Sequence, residues 1–388
     1  MSKKIFIVSG GTGGHIIPAR CLAKLLQQQD HQILFFGDEK IYNYKKLNDG
    51  FKTFIINSSQ FKKSLFSLPK ILIKIGLGVI KSLYFIAKYR PDYVYAFGGY
   101  ATFPMLIASV ITNRKIILHE QNAHLGKVNR IFAKFSHKIA LSFHETSGIK
   151  TEFKHKTFFT GNPVREEIIK LHTKKYSLPN FNNEEAIDDK KLGYNLLLNS
   201  DFYPTEVENK LFKILVIGGS GGAKIFSEIL PKAFFNFSED IKENIQIIQQ
   251  CREELVESTF DQYKSFNINV IVDSFFEDMA QLIDDAHLII GRAGSSSIFE
   301  FCVANKPMII VPFAKSADNH QQKNANFLLQ KGAAIVIQED EFNIQKINEI
   351  LNKLFTEKDI LFKMSKNAGN IAIIDATLKL SQLINNDF

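Results

Sequence analysis

The chain has 388 residues, 45% hydrophobic and 23% charged, enough to bury the cores of two domains and too apolar for a disordered protein. Lys and Arg exceed Asp and Glu by 48 to 40, and a net charge of +8 is too small to argue for nucleic acid. The three cysteines (Cys21, Cys251, Cys302) lack the spacing of a zinc site or a disulfide framework, and the chain runs into a strand with no signal-peptide pattern, so a cytoplasmic protein is expected.

The first element predicted is a buried parallel strand, Lys4-Ile5-Phe6-Ile7-Val8, followed by a helix over 19–28 with Leu22, Leu25 and Leu26 on one face. Between them lies Ser9-Gly10-Gly11-Thr12-Gly13-Gly14-His15, with Pro18 beyond. Glycines at a strand-to-helix turn let backbone amides approach a ligand closely, and the helix N-terminus favours an anion. A packing turn needs one or two glycines and has no use for the imidazole. No Lys-Ser/Thr follows, so this is not a P-loop, and Ile16 stands where a dinucleotide fingerprint has its third glycine. Asp38, after the next strand, keeps a dehydrogenase open as a weaker alternative.

Further strands are predicted at 33–36, 53–56, 93–97, 115–119, 138–141 and 157–160, with helices fitting between them, which implies a parallel sheet covered on both faces. The stretch from Gly50 to Pro91 contains no Asp or Glu, and Lys70, Lys74, Lys81 and Lys88 recur at helical spacing through an apolar run. That composition suits a helix lying on an anionic membrane, and equally a domain helix with a solvated lysine face; lysines interrupt it too often for a bilayer span. Periodicity fails between Lys174 and Lys210, so residues 171–210 read as a linker or surface insertion between domains at 1–170 and 211–388. The pattern restarts with Phe212–Ile217, a second glycine loop at Gly218–Ala223 and a helix. Strands at 245–249, 268–272, 288–290, 308–311 and 334–337 complete a second doubly wound domain. Ligands of open α/β sheets bind beyond the carboxyl ends of the strands, so two such domains facing each other are expected to share a cleft.

Candidate site residues cluster at those strand ends. Phe97-Gly98-Gly99-Tyr100, His119-Glu120-Gln121-Asn122 and Gly161-Asn162-Pro163-Val164-Arg165 each follow a strand of the first domain. In the second, Gly291-Arg292-Ala293-Gly294-Ser295-Ser296-Ser297 would admit a phosphate to a helix N-terminus, and Glu300 is placed to accept from a ribose diol or to complement the helix dipole. Gln321, after the next strand, is a candidate for sugar hydroxyls.

The set GGTGGHIIP, FGGY, HEQN, GNPVR, GGSGGAK, FFEDM, GRAGSSSIFE and DNHQQKNA, in this order from residue 5 to about residue 330, resembles the MurG family of transferases. The resemblance implies a GT-B fold of two Rossmann-like domains, with C-terminal helices that pack back on the first. It implies UDP-N-acetylglucosamine as donor and an undecaprenyl-pyrophosphoryl N-acetylmuramyl-peptide as acceptor, at the cytoplasmic face of the cell membrane. Other cell-wall synthesis proteins are further candidate partners. Carried over by position, Thr12, Gly13 and Gly14 contact substrate, and Gly13, Gly14, Gly99 and Tyr100 lie near the acceptor diphosphate. Asn122 reaches the donor sugar, Arg165 and Ser220 its diphosphate. Phe276 stands at the uracil position, where a smaller aliphatic residue is common. Residues Ser295, Ser296, Ser297 and Glu300 match the diphosphate and ribose segment, and Gln321 the sugar-binding glutamine. Gly221 departs from the glutamine of many relatives, and the 171–208 segment is longer than the family suggests.

The expected reaction is inverting displacement of UDP by the acceptor's C4 hydroxyl. His15 is the first candidate for the base, and Glu120 the alternative or an orienting partner. No Asp-x-Asp pair stands at a loop to hold a metal, and no cofactor is expected. A GT-B transferase with another acceptor and a catalytically idle membrane adaptor remain the rival readings.

Overall fold

The computed structural model describes residues 2–44, 50–58, 68–179, 211–219 and 221–385, so Ser220 and most of the 171–210 segment lie outside the described residues. The chain divides into two compact units, 1–166 with 373–388, and 167–372. Each is organised around one parallel sheet.

The first sheet contains β1 (Lys4–Ser9), β2 (Gln32–Gly37), β3 (Lys52–Ile55), β4 (Tyr93–Ala96), β5 (Lys115–Glu120), β6 (Lys138–Leu141) and β7 (Thr157–Phe159). Their order is β3-β2-β1-β4-β5-β6-β7. Successive residues of β1 point to opposite faces, and both faces are covered, which is why the strand reads as an unbroken apolar run. Ile5 and Ile7 pack with Ile16, Ala19 and Leu22 of the helix Gly13–Gln28, and with Leu380, Leu383 and Ile384 from the end of the chain. Phe6 and Val8 face the other way, onto Phe85 and Ile86 of the helix Leu68–Tyr89 and Met105 and Ala108 of Phe103–Ile111.

The second sheet contains β8 (Phe212–Ile217), β9 (Ile245–Gln250), β10 (Asn269–Asp273), β11 (Leu288–Gly291), β12 (Met308–Ile310) and β13 (Ala334–Val336), in the order β10-β9-β8-β11-β12-β13. Ile214 and Val216 are buried against Phe226, Leu230 and Phe234 of the helix Lys224–Phe235. The second unit begins earlier in the chain than the sequence-based division put it. Tyr176 and Leu178 pack against this second core, so the chain is already part of the second unit before residue 180. The helix Ala376–Gln382 buries its apolar side in the first unit, so that unit takes both ends of the chain.

Both sheets reverse their winding at one place, between β1 and β4 and between β8 and β11. Adjacent strands whose connections depart in opposite directions leave a crevice at their carboxyl ends, and there an open α/β sheet binds its ligands. Each glycine loop stands at such a point.

The helix Leu68–Tyr89 has a second feature. Ile71, Ile75, Phe85 and Ile86 are buried, whereas Leu72, Ile73, Leu77, Ile80 and Tyr84 are each more than half exposed. Lys70, Lys74, Lys81 and Lys88 are exposed beside them, and at 100° per residue they fall along one edge of that apolar stripe. No helix among the described residues is long and apolar enough to cross a membrane.

Candidate active site

In the first unit the glycine loop and the β4 end are locked together by Gly10 N–H, which donates to the Gly98 carbonyl at 3.1 Å. Gly98 and Gly99 have φ of 77° and 79°, a backbone that side chains resist. A Cβ on Gly98 would stand 3.4 Å from the His15 ring, and one on Gly99 3.1 Å from the Gly10 Cα. The imidazole therefore lies against bare backbone. Thr12 is the N-cap of the helix Gly13–Gln28, and its hydroxyl is spent on His15, at 2.6 Å from Nδ1. The tautomer in which Nδ1–H donates to Thr12 is the one that leaves Nε2 as the basic nitrogen.

His119, next to last in β5, is wholly buried, its ring 4.9 Å from that of Phe97 and its Nε2 3.3 Å from the Ser142 hydroxyl. Burial, opposed by a backbone hydrogen bond at Gly161 and aided to a smaller extent by His15, lowers its pKa to about 3, so the ring is neutral at ordinary pH. Glu120 is buried beside it, and four donors occupy its carboxylate. Asn122 N–H (3.1 Å) and Nδ2 (3.2 Å) reach Oε1, and Gly126 N–H (2.7 Å) and Asn129 Nδ2 (2.9 Å) reach Oε2. Desolvation pushes its pKa up while these bonds pull it back. A carboxylate engaged in this way ties the 122–126 loop and Asn129 to the end of β5.

Asn129, on the helix Lys127–Phe132, joins the two clusters: besides Glu120 it lies 3.7 Å from where a Gly98 Cβ would be. Sequence reasoning missed it, and only its place among the buried residues Val128 and Phe132 could have pointed to it. Half-buried Asn122, Gly99 and Tyr100 surround the same strand ends. Farther along the sheet, Asn162 Oδ1 accepts from the Ser142 hydroxyl at 3.3 Å, which anchors the segment carrying half-buried Arg165.

In the second unit Gly222 N–H donates to the Gly219 carbonyl at 2.9 Å, and a Cβ at Gly222 would meet the Arg252 backbone nitrogen at 2.7 Å. After β11 the chain enters the helix Ser295–Val303 with Gly294 as its N-cap. Ser295, Ser296 and Glu300 are buried there and Ser297 half-buried. Gln321 Oε1 accepts from Phe313 N–H at 2.9 Å, and its backbone N–H points at the Ser316 hydroxyl, 3.3 Å away. Its side-chain Nε2 has no hydrogen-bond partner among the described residues. Phe276 is half-buried on the loop after β10, an edge strand two places from β8.

Two Rossmann-like units, each with a glycine loop at its switch point, make this a GT-B fold. The chain belongs to glycosyltransferase family 28, matching that family's N-terminal domain over residues 5–141 and its C-terminal domain over residues 213–381. It is 31% identical, across 99% of its length and 92% of the relative's, to the UDP-N-acetylglucosamine–N-acetylmuramyl-(pentapeptide) pyrophosphoryl-undecaprenol N-acetylglucosamine transferase of Zymomonas mobilis. The enzyme of the same name from Paramagnetospirillum magneticum is 32% identical over 98% of this chain and 95% of its own. The crystal structure of Acinetobacter baumannii MurG matches with a TM-score of 0.71 at 25% identity, covering 99% of both chains.

Proposed function

We propose that this protein transfers N-acetylglucosamine from UDP-N-acetylglucosamine to the C4 hydroxyl of an undecaprenyl-pyrophosphoryl N-acetylmuramyl-peptide, with inversion. Transferases named for that reaction match it over nearly its whole length, and the observation that carries the chemistry is His15, held by Thr12 against the glycines of β4. Nε2 of His15 takes the C4 hydroxyl proton as that oxygen bonds to the anomeric carbon and the carbon–oxygen bond to UDP breaks. The oxygen attacks from the face opposite the leaving group, so an α-linked donor gives a β-linked product.

Thr12 orients the base, while the amides of Gly13 and Gly14, with Gly99 and Tyr100, receive the acceptor diphosphate. Glu120 fixes the loop that presents Asn122 to the donor sugar. The leaving diphosphate is met by Arg165, Ser220 and the helix beginning at Ser295, with Ser296 and Ser297. Glu300 accepts from the ribose diol, the backbone near Phe276 reads the uracil, and the amide nitrogen of Gln321 donates to the sugar.

The polyprenyl chain of such an acceptor stays in the bilayer, so the enzyme must come to it. Leu72, Ile73, Leu77, Ile80 and Tyr84 supply apolar area for that contact, and Lys70, Lys74 and Lys81 supply attraction to anionic lipid. The protein accordingly works as a peripheral enzyme on the cytoplasmic face of the inner membrane. The direct test is incubation with radiolabelled UDP-N-acetylglucosamine and lipid acceptor in anionic vesicles. Label entering the lipid fraction supports the reading, and label entering only from another nucleotide sugar, or only into another acceptor, overturns it.

A further inference from the structure

Arg292 follows β11 and is 8% exposed. Its Nη1 donates to the Val311 carbonyl at 3.1 Å, and its Nη2 to Glu339 Oε1 at 2.5 Å. The guanidinium also lies 5.3 Å from the ring centroid of Phe226 and 5.4 Å from that of Phe313. From the β11 end Arg292 thus reaches partners in three places at one end of the sheet: the helix after the second glycine loop, the β12 end and the segment after β13.

The connections continue. Glu339 Oε2 accepts from Ala314 N–H at 2.8 Å, and the neighbouring Phe313 N–H donates to Gln321 Oε1. On the other side, Asn324 Nδ2 donates at 3.0 Å to the carbonyl of Ala293, next to Arg292. A nearly buried ion pair is a poor source of stability, since apolar side chains of like volume would fill the space at less cost. What a guanidinium adds is a planar fork that hydrogen-bonds in fixed directions while its faces rest on rings.

We propose that Arg292 is the positioning residue of the donor loops: through Glu339 and Phe313 it sets the orientation of the Gln321 amide, and through its own backbone it sets the loop leading into Ser295. The inference rests on the donor reading given above. Arg292 acts on the nucleotide sugar through these neighbours. Two branches follow, one toward the sugar and one toward the diphosphate, and they are separable.

The experiment compares Arg292→Lys and Glu339→Gln with wild type, reading KM for UDP-N-acetylglucosamine, KM for acceptor, UDP affinity by calorimetry, and melting temperature. Lysine keeps the charge and loses the fork, so donor KM should rise roughly 10- to 100-fold, the cost of misplacing a binding group by about an ångström. UDP affinity should fall with it and acceptor KM should hold. Glu339→Gln keeps the shape and cuts only the sugar branch, so donor KM should rise while UDP affinity stays at the wild-type value. Wild-type donor KM in both variants, whatever their melting temperatures, overturns the proposal. So does a rise in Arg292→Lys with none in Glu339→Gln, which would mark direct contact with the donor. Should Arg292→Lys fail to fold, Glu339→Gln alone decides the sugar branch. A wild-type protein that binds no UDP-N-acetylglucosamine would instead refute the donor reading itself.

Discussion

His15 owes its orientation to a hydroxyl three residues before it, and its freedom to act to two glycines across the switch point. Replacing it with Ala should lower kcat by roughly 10²–10⁴-fold, the usual worth of a general base, with UDP affinity nearly unchanged. Steady-state kinetics checks this, and near-normal turnover would remove His15 from the role. The loop itself was legible, because four glycines around a Thr and a His exceed what a turn requires. The division of labour inside it was not. The resemblance gave Thr12 as a substrate contact, and Glu120 stood as alternative base or orienting partner, because a motif names residue types and says nothing of which hydrogen bonds they already make. Buried histidines carry a further consequence. Burial lowers His119 to about 3 and His287 to about 4, from an ordinary 6.5, with nearby positive groups adding to the effect. Between those values the unfolded imidazole takes up a proton that the folded one refuses. Stability is thus full above pH 6.5 and falls as pH drops toward 4 and then 3, each group contributing a slope of about 1.4 kcal/mol per pH unit. Melting temperatures from pH 7 down to 4.5 should fall, and His119→Gln should flatten the slope. A slope unchanged in that variant would show that His119 is not its source.

Strands were the easiest elements to read, because an element covered on both faces has no polar side to confuse the pattern. The helix Leu68–Tyr89 shows the opposite case. Its sequence allowed a solvated lysine face or a membrane face, and the proposed membrane contact rests on five large apolar side chains that stand exposed beside four lysines. Each lysine near an anionic surface contributes on the order of 1 kcal/mol, and the attraction fades within a Debye length. The protein should therefore sediment with anionic vesicles at low salt and be released, at least in part, as salt rises. Changing Lys70, Lys74 and Lys81 together to Glu should abolish sedimentation and spare transfer to a short-chain, water-soluble acceptor. Equal binding to neutral and anionic vesicles, or undiminished binding by the triple variant, would return this helix to ordinary domain packing.

At the scale of the whole molecule the chain passes between its units twice, after residue 166 and after residue 372, and its last helix closes the unit where it began. Amphipathic spacing announces that a helix has an apolar face but not which sheet will cover it, so sequence alone gave this helix no address beyond the resemblance. The structure supplies specific partners. Leu380 and Ile384 are almost wholly buried in the first core, with Leu383 beside them. Tyr95 donates its hydroxyl to the Leu380 carbonyl at 2.9 Å, and buried Lys138 donates Nζ to the Leu383 carbonyl at 2.8 Å. Lys3 Nζ and the Tyr93 hydroxyl both reach the Ile384 carbonyl, at 2.6 and 3.2 Å. Removing residues 373–388 uncovers three large apolar side chains' worth of core, at about 1.5–3 kcal/mol each. The loss is comparable with the ~5–15 kcal/mol that holds a domain folded at all. The truncated chain should therefore lose the cooperative unfolding of its first unit while residues 167–372 keep theirs, seen as one surviving calorimetric transition and rapid proteolysis confined to residues 1–166. Leu380→Ala is the milder form, expected to cost about 2–5 kcal/mol in the first unit alone. A truncated protein with both transitions at wild-type temperature would mean that the first sheet holds without the end of its own chain.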